Sequence, residues 1–148
     1  MADNTGVAER AFILSPEALG ALAGGRVYKT QAPDSSKLAR KDDDTVKPYL
    51  VVTFQTPSAA AGGRSIGVNE SRQPHLMGIT VAAYAGDAES AEALMAAVIR
   101  TLVGTNPSDT AGEIKLAAGQ SFTAADNGSR PTRFGEWAIF KVYINLGI

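Results

Sequence analysis

With 148 residues, a 45% hydrophobic fraction and a formal net charge of -1, the chain can build one core but is too short for two full domains. The near balance of acids and bases argues against a general electrostatic affinity for nucleic acid or anionic membrane. The absence of cysteine excludes disulfides, thiolate metal sites and a cysteine nucleophile. The polar start MADNTGVAER is unlike a secretory signal, and no apolar run approaches the roughly 20 residues of a membrane helix. A protein made in a cytoplasm, with no membrane partner, is expected.

In chain order, residues 11–14 (AFIL) are apolar but too short to show a period. Ser15, Pro16 and Glu17 predict a helix start, with a capping hydroxyl and a proline at the first helical position. Ala18, Leu19, Ala21 and Leu22 continue this short helix, and Gly24 with Gly25 stops it. Residues 26–29 (RVYK) predict a short strand. The stretch 30–47 is polar, charged and aperiodic, and an arm or long loop is expected because nothing in it offsets its ordering entropy within one subunit. Residues 48–56 (PYLVVTFQT) predict a strand with Leu50, Val52 and Phe54 on one face and Tyr49, Val51, Thr53 and Gln55 on the other. The link 57–74 is rich in small and turn-forming residues. It predicts an antiparallel hairpin with a long tip, since a parallel return would need a crossover that it does not supply.

Residues 75–85 (HLMGITVAAYA) read as a buried strand centred on Ile79, Thr80 and Val81. Gly86 ends it, Asp87 stands at the N-cap of a helix, and Glu89 and Glu92 suit the positive end of the helix dipole. Ala91, Leu94, Met95, Val98, Ile99 and Leu102 form one helical stripe, Arg100 favours the last turn, and Gly104 can close it in the left-handed conformation. Residues 105–133 hold two short candidate strands, 113–116 and 120–123. The closing strand 133–146 places Ala138, Phe140, Val142, Ile144 and Leu146 on one face, with Trp137, Ile139, Lys141, Tyr143 and Asn145 on the other.

These elements predict a single α+β domain over 1–148. It is a mostly antiparallel sheet of about four strands, with one long and one short helix packed on one face, and with 30–47 and 105–133 as extended loops or arms. The other sheet face would carry Tyr49, Val51, Trp137, Ile139 and Tyr143, more apolar area than a lone monomer normally shows. These five residues are therefore the candidates for a subunit interface.

Little in the chain points to chemistry. His75 is the sole histidine, no G-x-S-x-G elbow accompanies it, and a structural role is expected. Asp42, Asp43 and Asp44 lack the alternate-residue spacing and turn glycine of a calcium loop and read as a solvated acidic run. Gly24, Gly25, Gly62 and Gly63 lack the companions of phosphate loops and read as turns and caps. Lys37, Arg40, Lys41, Arg64 and Arg72 could face phosphates or acidic protein surfaces, or simply solubilise the two long loops. No aromatic residue lies in either loop to stack on a single strand. No catalytic, metal or cofactor-binding residue is assigned, no cofactor is expected, and a non-enzymatic protein follows.

The order of parts nevertheless carries a resemblance. A short helix ends in GGRVY (24–28), a Pro-containing polar loop follows, and then come the strands PYLVVTF (48–54) and ITVAAYA (79–85) and the helical stretch DAESAEALMAAVIRTLVG (87–104). In this order and spacing, residues 19–104 resemble the tail terminator, or tail completion, proteins of long-tailed bacteriophages. The resemblance implies an α+β virion subunit that forms a hexameric ring at the head-proximal end of the tail tube. Such a ring ends tube polymerisation and presents the surface that joins the head connector, while DNA passes through without sequence recognition. It implies the tube protein, the connector and further copies of the chain as partners, and no catalytic residues. The long charged loop 30–47 and the length of 105–133 depart from the family's plan. Under this reading the apolar outer face meets an adjacent subunit and the basic loop residues reach the tube, the connector or the lumen. Tight phosphate contacts by Arg64 and Arg72 would hinder sliding DNA. The alternatives are another neck or head-completion protein and, more distantly, a small ligand-binding or enzymatic α+β domain.

Overall fold

The computed structural model describes residues 6–33, 37–42, 45–59, 74–117, 124–126 and 133–145. Its centre is a pair of long antiparallel strands, β4 (Pro74–Ala85) and β7 (Arg133–Asn145), in register from Pro74 opposite Asn145 to Ala85 opposite Phe134. β2 (Tyr49–Phe54) pairs antiparallel with the other edge of β4, Tyr49 opposite Tyr84 and Phe54 opposite Ile79. β1 (Val27–Lys29) lies parallel to β2. The short strands β3 (Ser58–Ala59), β5 (Lys115–Leu116) and β6 (Ala124–Asp126) add to β4, β7 and β7 respectively. The path is β1-β2-β4-β7-β5, the mostly antiparallel α+β arrangement expected, with one parallel edge strand.

One sheet face builds the core. Strand alternation points Leu50 and Val52 of β2, Met77, Ile79, Val81 and Ala83 of β4, and Ala138, Phe140, Val142 and Ile144 of β7 to the same side. The helix α2 (Ala88–Leu102) lies on them with Ala91, Leu94, Met95, Val98 and Leu102 buried, five of the six residues of the expected stripe, while Ile99 is partly buried against the same core. α2 starts where the sequence indicates: the Asp87 side chain accepts from the Ser90 amide at 2.9 Å and from the Ser90 hydroxyl at 2.8 Å. Gly104 ends the segment at φ 85°.

The Ser90 bonds, with Lys41 adding a favourable charge, hold the Asp87 carboxyl below its ordinary value of 3.8. A lowered carboxylate pKa contributes stability above the ordinary range and loses it as pH falls through the folded value. Thermal melts from pH 6 down to about 2.5 should therefore show an acid-side loss in the wild type that is smaller in Asp87→Asn, which keeps a capping oxygen but cannot titrate.

The N-terminal part differs from expectation. Ser15 and Pro16 follow a helix instead of starting one: α1 (Val7–Leu14) ends there, with the Ser15 amide donating to the Phe12 carbonyl at 3.0 Å and its hydroxyl to the same carbonyl at 2.5 Å. The residues after Pro16 form a 3-10 helix (Leu19–Gly25) interrupted by non-helical backbone at Leu22, Ala23 and Gly24. Ile13 and Leu19 reach the same core as α2, so these helical elements share one sheet face. The buried Glu9 of α1 accepts from the Ser108 hydroxyl at 3.2 Å, tying α1 to the segment after α2. That segment is packed over its described part 105–117. Ile114 is in the core, its amide bonds Thr105 and its carbonyl accepts from Gly104. Of the two candidate strands, 113–116 is reduced to β5, and 120–123 lies outside the described residues.

The stretch 30–47 is corrected most. Because β1 and β2 run parallel, the chain between them must cross over the sheet, which takes a dozen or more residues. Its described parts are 30–33, 37–42 and 45–47, and the last two lie on the face opposite the helices. There Leu38 and Val46 are buried with Tyr49 against Tyr28, Ala32, Val51 and Tyr84. A bridge between Arg40 and Val46 and bonds from the Lys41 amide to the Thr45 carbonyl (2.8 Å) and from the Lys47 amide to the Ala39 carbonyl (2.9 Å) fold it on itself. Two buried aliphatic side chains contribute about 1.5–3 kcal/mol each, comparable to the cost of fixing a few residues of backbone. The expectation of a stretch with nothing to bury is thus overturned at Leu38 and Val46, whose burial offsets part of the ordering cost.

Candidate assembly interface

The sheet face away from the helices is where sequence reasoning put the candidate residues, and the structure divides it in two. At the β1 end an aromatic row crosses four strands. Tyr28 meets Tyr49 edge-on at 5.9 Å, Tyr49 stacks on Tyr84 at 5.1 Å, and Tyr84 meets Trp137 edge-on at 5.9 Å, spacings typical of favourable aromatic pairs. The Arg133 guanidinium sits 4.2 Å over the Tyr84 ring and donates to the Tyr49 hydroxyl. Tyr49, at 1% exposure, is consequently a core residue of this small cluster and presents nothing to a partner. Its place among the interface candidates is withdrawn. Val51 is half-buried beside it, under the crossover.

Gly135 makes the row possible. It faces Tyr84 across the ladder, and a Cβ there would lie 2.7 Å from Tyr84 Cε1 and 3.0 Å from Trp137 Cη2, so both rings occupy the space a side chain would fill. Gly135→Ala should lower stability by about 1–3 kcal/mol, the usual cost of overpacking, with loss of near-ultraviolet tyrosine and tryptophan dichroism. Unchanged dichroism and stability would contradict this packing.

The other end of the face is open. Ile139 and Tyr143 are each 43% exposed, Trp137 and Leu76 are half-buried, and the register sets Leu76 opposite Tyr143 and Thr80 opposite Ile139. Of the five predicted residues, Ile139 and Tyr143 are open to solvent, with Lys141 between them on the same face of β7 and half-buried Trp137 beside Ile139. Of the basic candidates, Lys37 and Lys41 are exposed and Arg40 half-buried on the crossover, whereas Arg64 and Arg72 lie outside the described residues. The residues that sequence reasoning missed are Tyr28, Leu38, Val46, Tyr84 and Arg133. Tyr84 could have been found by alternation from Ala82. Leu38 and Val46 are isolated apolar residues in a charged stretch.

His75 is buried in the β4 ladder opposite Ile144. Among the described residues no group of three or more His, Cys, Asp or Glu is placed to hold a metal ion, and no helix is long and apolar enough to cross a membrane. The described outer sheet face carries exposed Ile139 and Tyr143 beside the largely covered aromatic row.

No protein-family model matches the chain, and no curated protein does. The fold is similar to that of a chain in the virion of a native gene transfer agent particle, at 18% sequence identity and a TM-score of 0.56, over 92% of this chain and 90% of that one.

Proposed function

We propose that the chain is a virion structural protein of a phage-like particle that works by assembly and not by catalysis. The observation that carries this reading is the fold shared, over about nine-tenths of both chains, with a chain of a gene transfer agent virion. The open patch of Trp137, Ile139 and Tyr143 supports it, since an exposed apolar surface on an otherwise well-packed subunit is a liability unless another molecule covers it. Within that class, the order of motifs along residues 19–104 favours a tail terminator. Copies close into a ring, six in the family it resembles, at the head-proximal end of the tail tube, stop its growth and offer the head connector a docking surface. Ile139 and Tyr143, with Trp137 beside them, face the neighbouring copy, while Val51 lies under the crossover. Lys37, Arg40 and Lys41, with Arg64 and Arg72, face the tube, the connector or the passing DNA.

Closure into a ring satisfies such head-to-tail surfaces, which would otherwise propagate into filaments. The test is to add the purified protein to growing tail tubes and measure tube length by electron microscopy. Tubes capped at one end and halted in length are expected. Tubes that grow unchanged would overturn the terminator role, and binding to filled heads instead would assign the chain to the neck.

A further inference from the structure

On the helix side the sheet ends at β1, the last strand of the order among the described residues. Its ladder to β2 uses alternate residues: the Leu50 amide donates to the Arg26 carbonyl at 2.9 Å, and the Thr30 amide to the Val52 carbonyl at 2.8 Å. Val27 and Lys29, one residue out of phase, therefore turn their amides to the outer side of the edge. Val27 packs on the core that α2 covers, so Lys29, two residues on, leaves the strand on that same helix side. There it meets α1. Val7, Arg10, Ala11 and Leu14 recur at i, i+3, i+4 and i+7 on one face of α1, away from its buried Glu9 and Ile13. With Lys29 they line a cleft of about 260 Å³. That lining holds two cations and no acid, and Val7, Ala11 and Lys29 are exposed.

We propose that β1 and α1 form a docking site for an extended acidic segment of a partner protein, which adds to the sheet beside β1. The segment's backbone pairs with the Val27 and Lys29 amides. One of its carboxylates reaches Arg10 and Lys29, and the next side chain on the same strand face, an apolar one, lies on Val7, Ala11 and Leu14. Charge complementarity selects this occupant, since a basic strand would be repelled. Size selects it too: the cleft falls below the roughly 300–1,000 Å³ of small-molecule sites and suits single side chains. β1 is only three residues long, and such short edges are one way that sheets avoid indiscriminate pairing. The cleft therefore supplies both the remaining hold and the selectivity. The inference does not depend on the terminator reading, because Lys29 and α1 lie on the sheet face opposite Ile139 and Tyr143.

The probe is a capped peptide with threonine at one set of alternate positions and valine and glutamate at the other, so that both recognition side chains fall on one strand face. It is titrated into the full chain. Fluorescence anisotropy of the labelled peptide reports affinity, and hydrogen exchange at the Val27 and Lys29 amides reports the added ladder. Saturable binding that slows exchange at both amides is expected, with affinity falling as salt rises. Lys29→Glu should weaken binding about tenfold, an exposed attraction becoming a repulsion, and Lys29→Arg should preserve it. Ala11→Glu, on the exposed face of α1, should weaken it through the other wall of the cleft. Replacing glutamate by lysine in the peptide, or methylating its backbone nitrogens, should abolish binding. No binding, binding that survives the methylation, or binding indifferent to Lys29→Glu would overturn the proposal. So would self-association of the unliganded chain that Lys29→Glu abolishes, since the edge would then belong to a second copy. Ile139→Asp with Tyr143→Asp keeps the two surfaces apart: peptide binding should be unchanged in it, whether or not copies assemble. Lost binding there would put the peptide on the outer face and overturn the β1 site.

Discussion

Ile139→Asp combined with Tyr143→Asp should weaken self-association and tube capping by at least a hundredfold while leaving the subunit folded. Both side chains are 43% exposed, so the monomer loses only the modest strand preference of the native residues, on the order of 1 kcal/mol. In an assembled state each carboxylate would have to be buried in an apolar contact without a partner, a cost of several kcal/mol. Aromatic and branched anchors near the centre of an interface carry most of its energy, and the loss of one such anchor is worth about 2 kcal/mol or more. Two together exceed the roughly 2.8 kcal/mol that corresponds to a hundredfold. Sedimentation velocity and far-ultraviolet dichroism check both halves: a variant that still associates contradicts the interface, and an unfolded variant contradicts the stated exposure.

The largest effect on the fold should come from Phe140→Ala, with a loss of about 3–5 kcal/mol. Phe140 is fully buried in mid-β7, opposite Ile79 on one side and Leu116 on the other, in the core that α2 covers. Truncation leaves a void bounded by two ladders and a helix, which cannot all close in. Domains of this size hold roughly 5–15 kcal/mol in total, so about a fifth or more of the stability should go. The urea midpoint measures it; a loss below about 1 kcal/mol would mean that Phe140 does not occupy the centre of the core.

Period and punctuation made the long elements legible. In β2 and β7 the alternation assigned the buried face residue by residue, and β4 read as a buried strand. In α2 the N-cap at Asp87, the apolar stripe and Gly104 all fell where the sequence put them. Failures came where one local signal has two meanings or where pairing is long-range. A serine followed by proline can open a helix or close one, and here the Ser15 hydroxyl turns back to Phe12. β1 is only three residues long, and its parallel pairing with β2 cannot be read from its own residues, so the need for a crossover stayed hidden. With it went the burial of Leu38 and Val46, read as part of an aperiodic arm, and of Tyr49, which alternation alone had placed on an open face. The exposure of Ile139 and Tyr143, by contrast, was legible because they sit with Trp137 and Lys141 at alternate positions along one strand.

The most direct measurement is cryo-electron microscopy of the capped end of a tail tube assembled with this protein. Expected is a closed ring in which Ile139 and Tyr143 of each copy are sealed against the next. A ring held together elsewhere, with that face open to solvent, or no ring at the tube end, would contradict the assembly role.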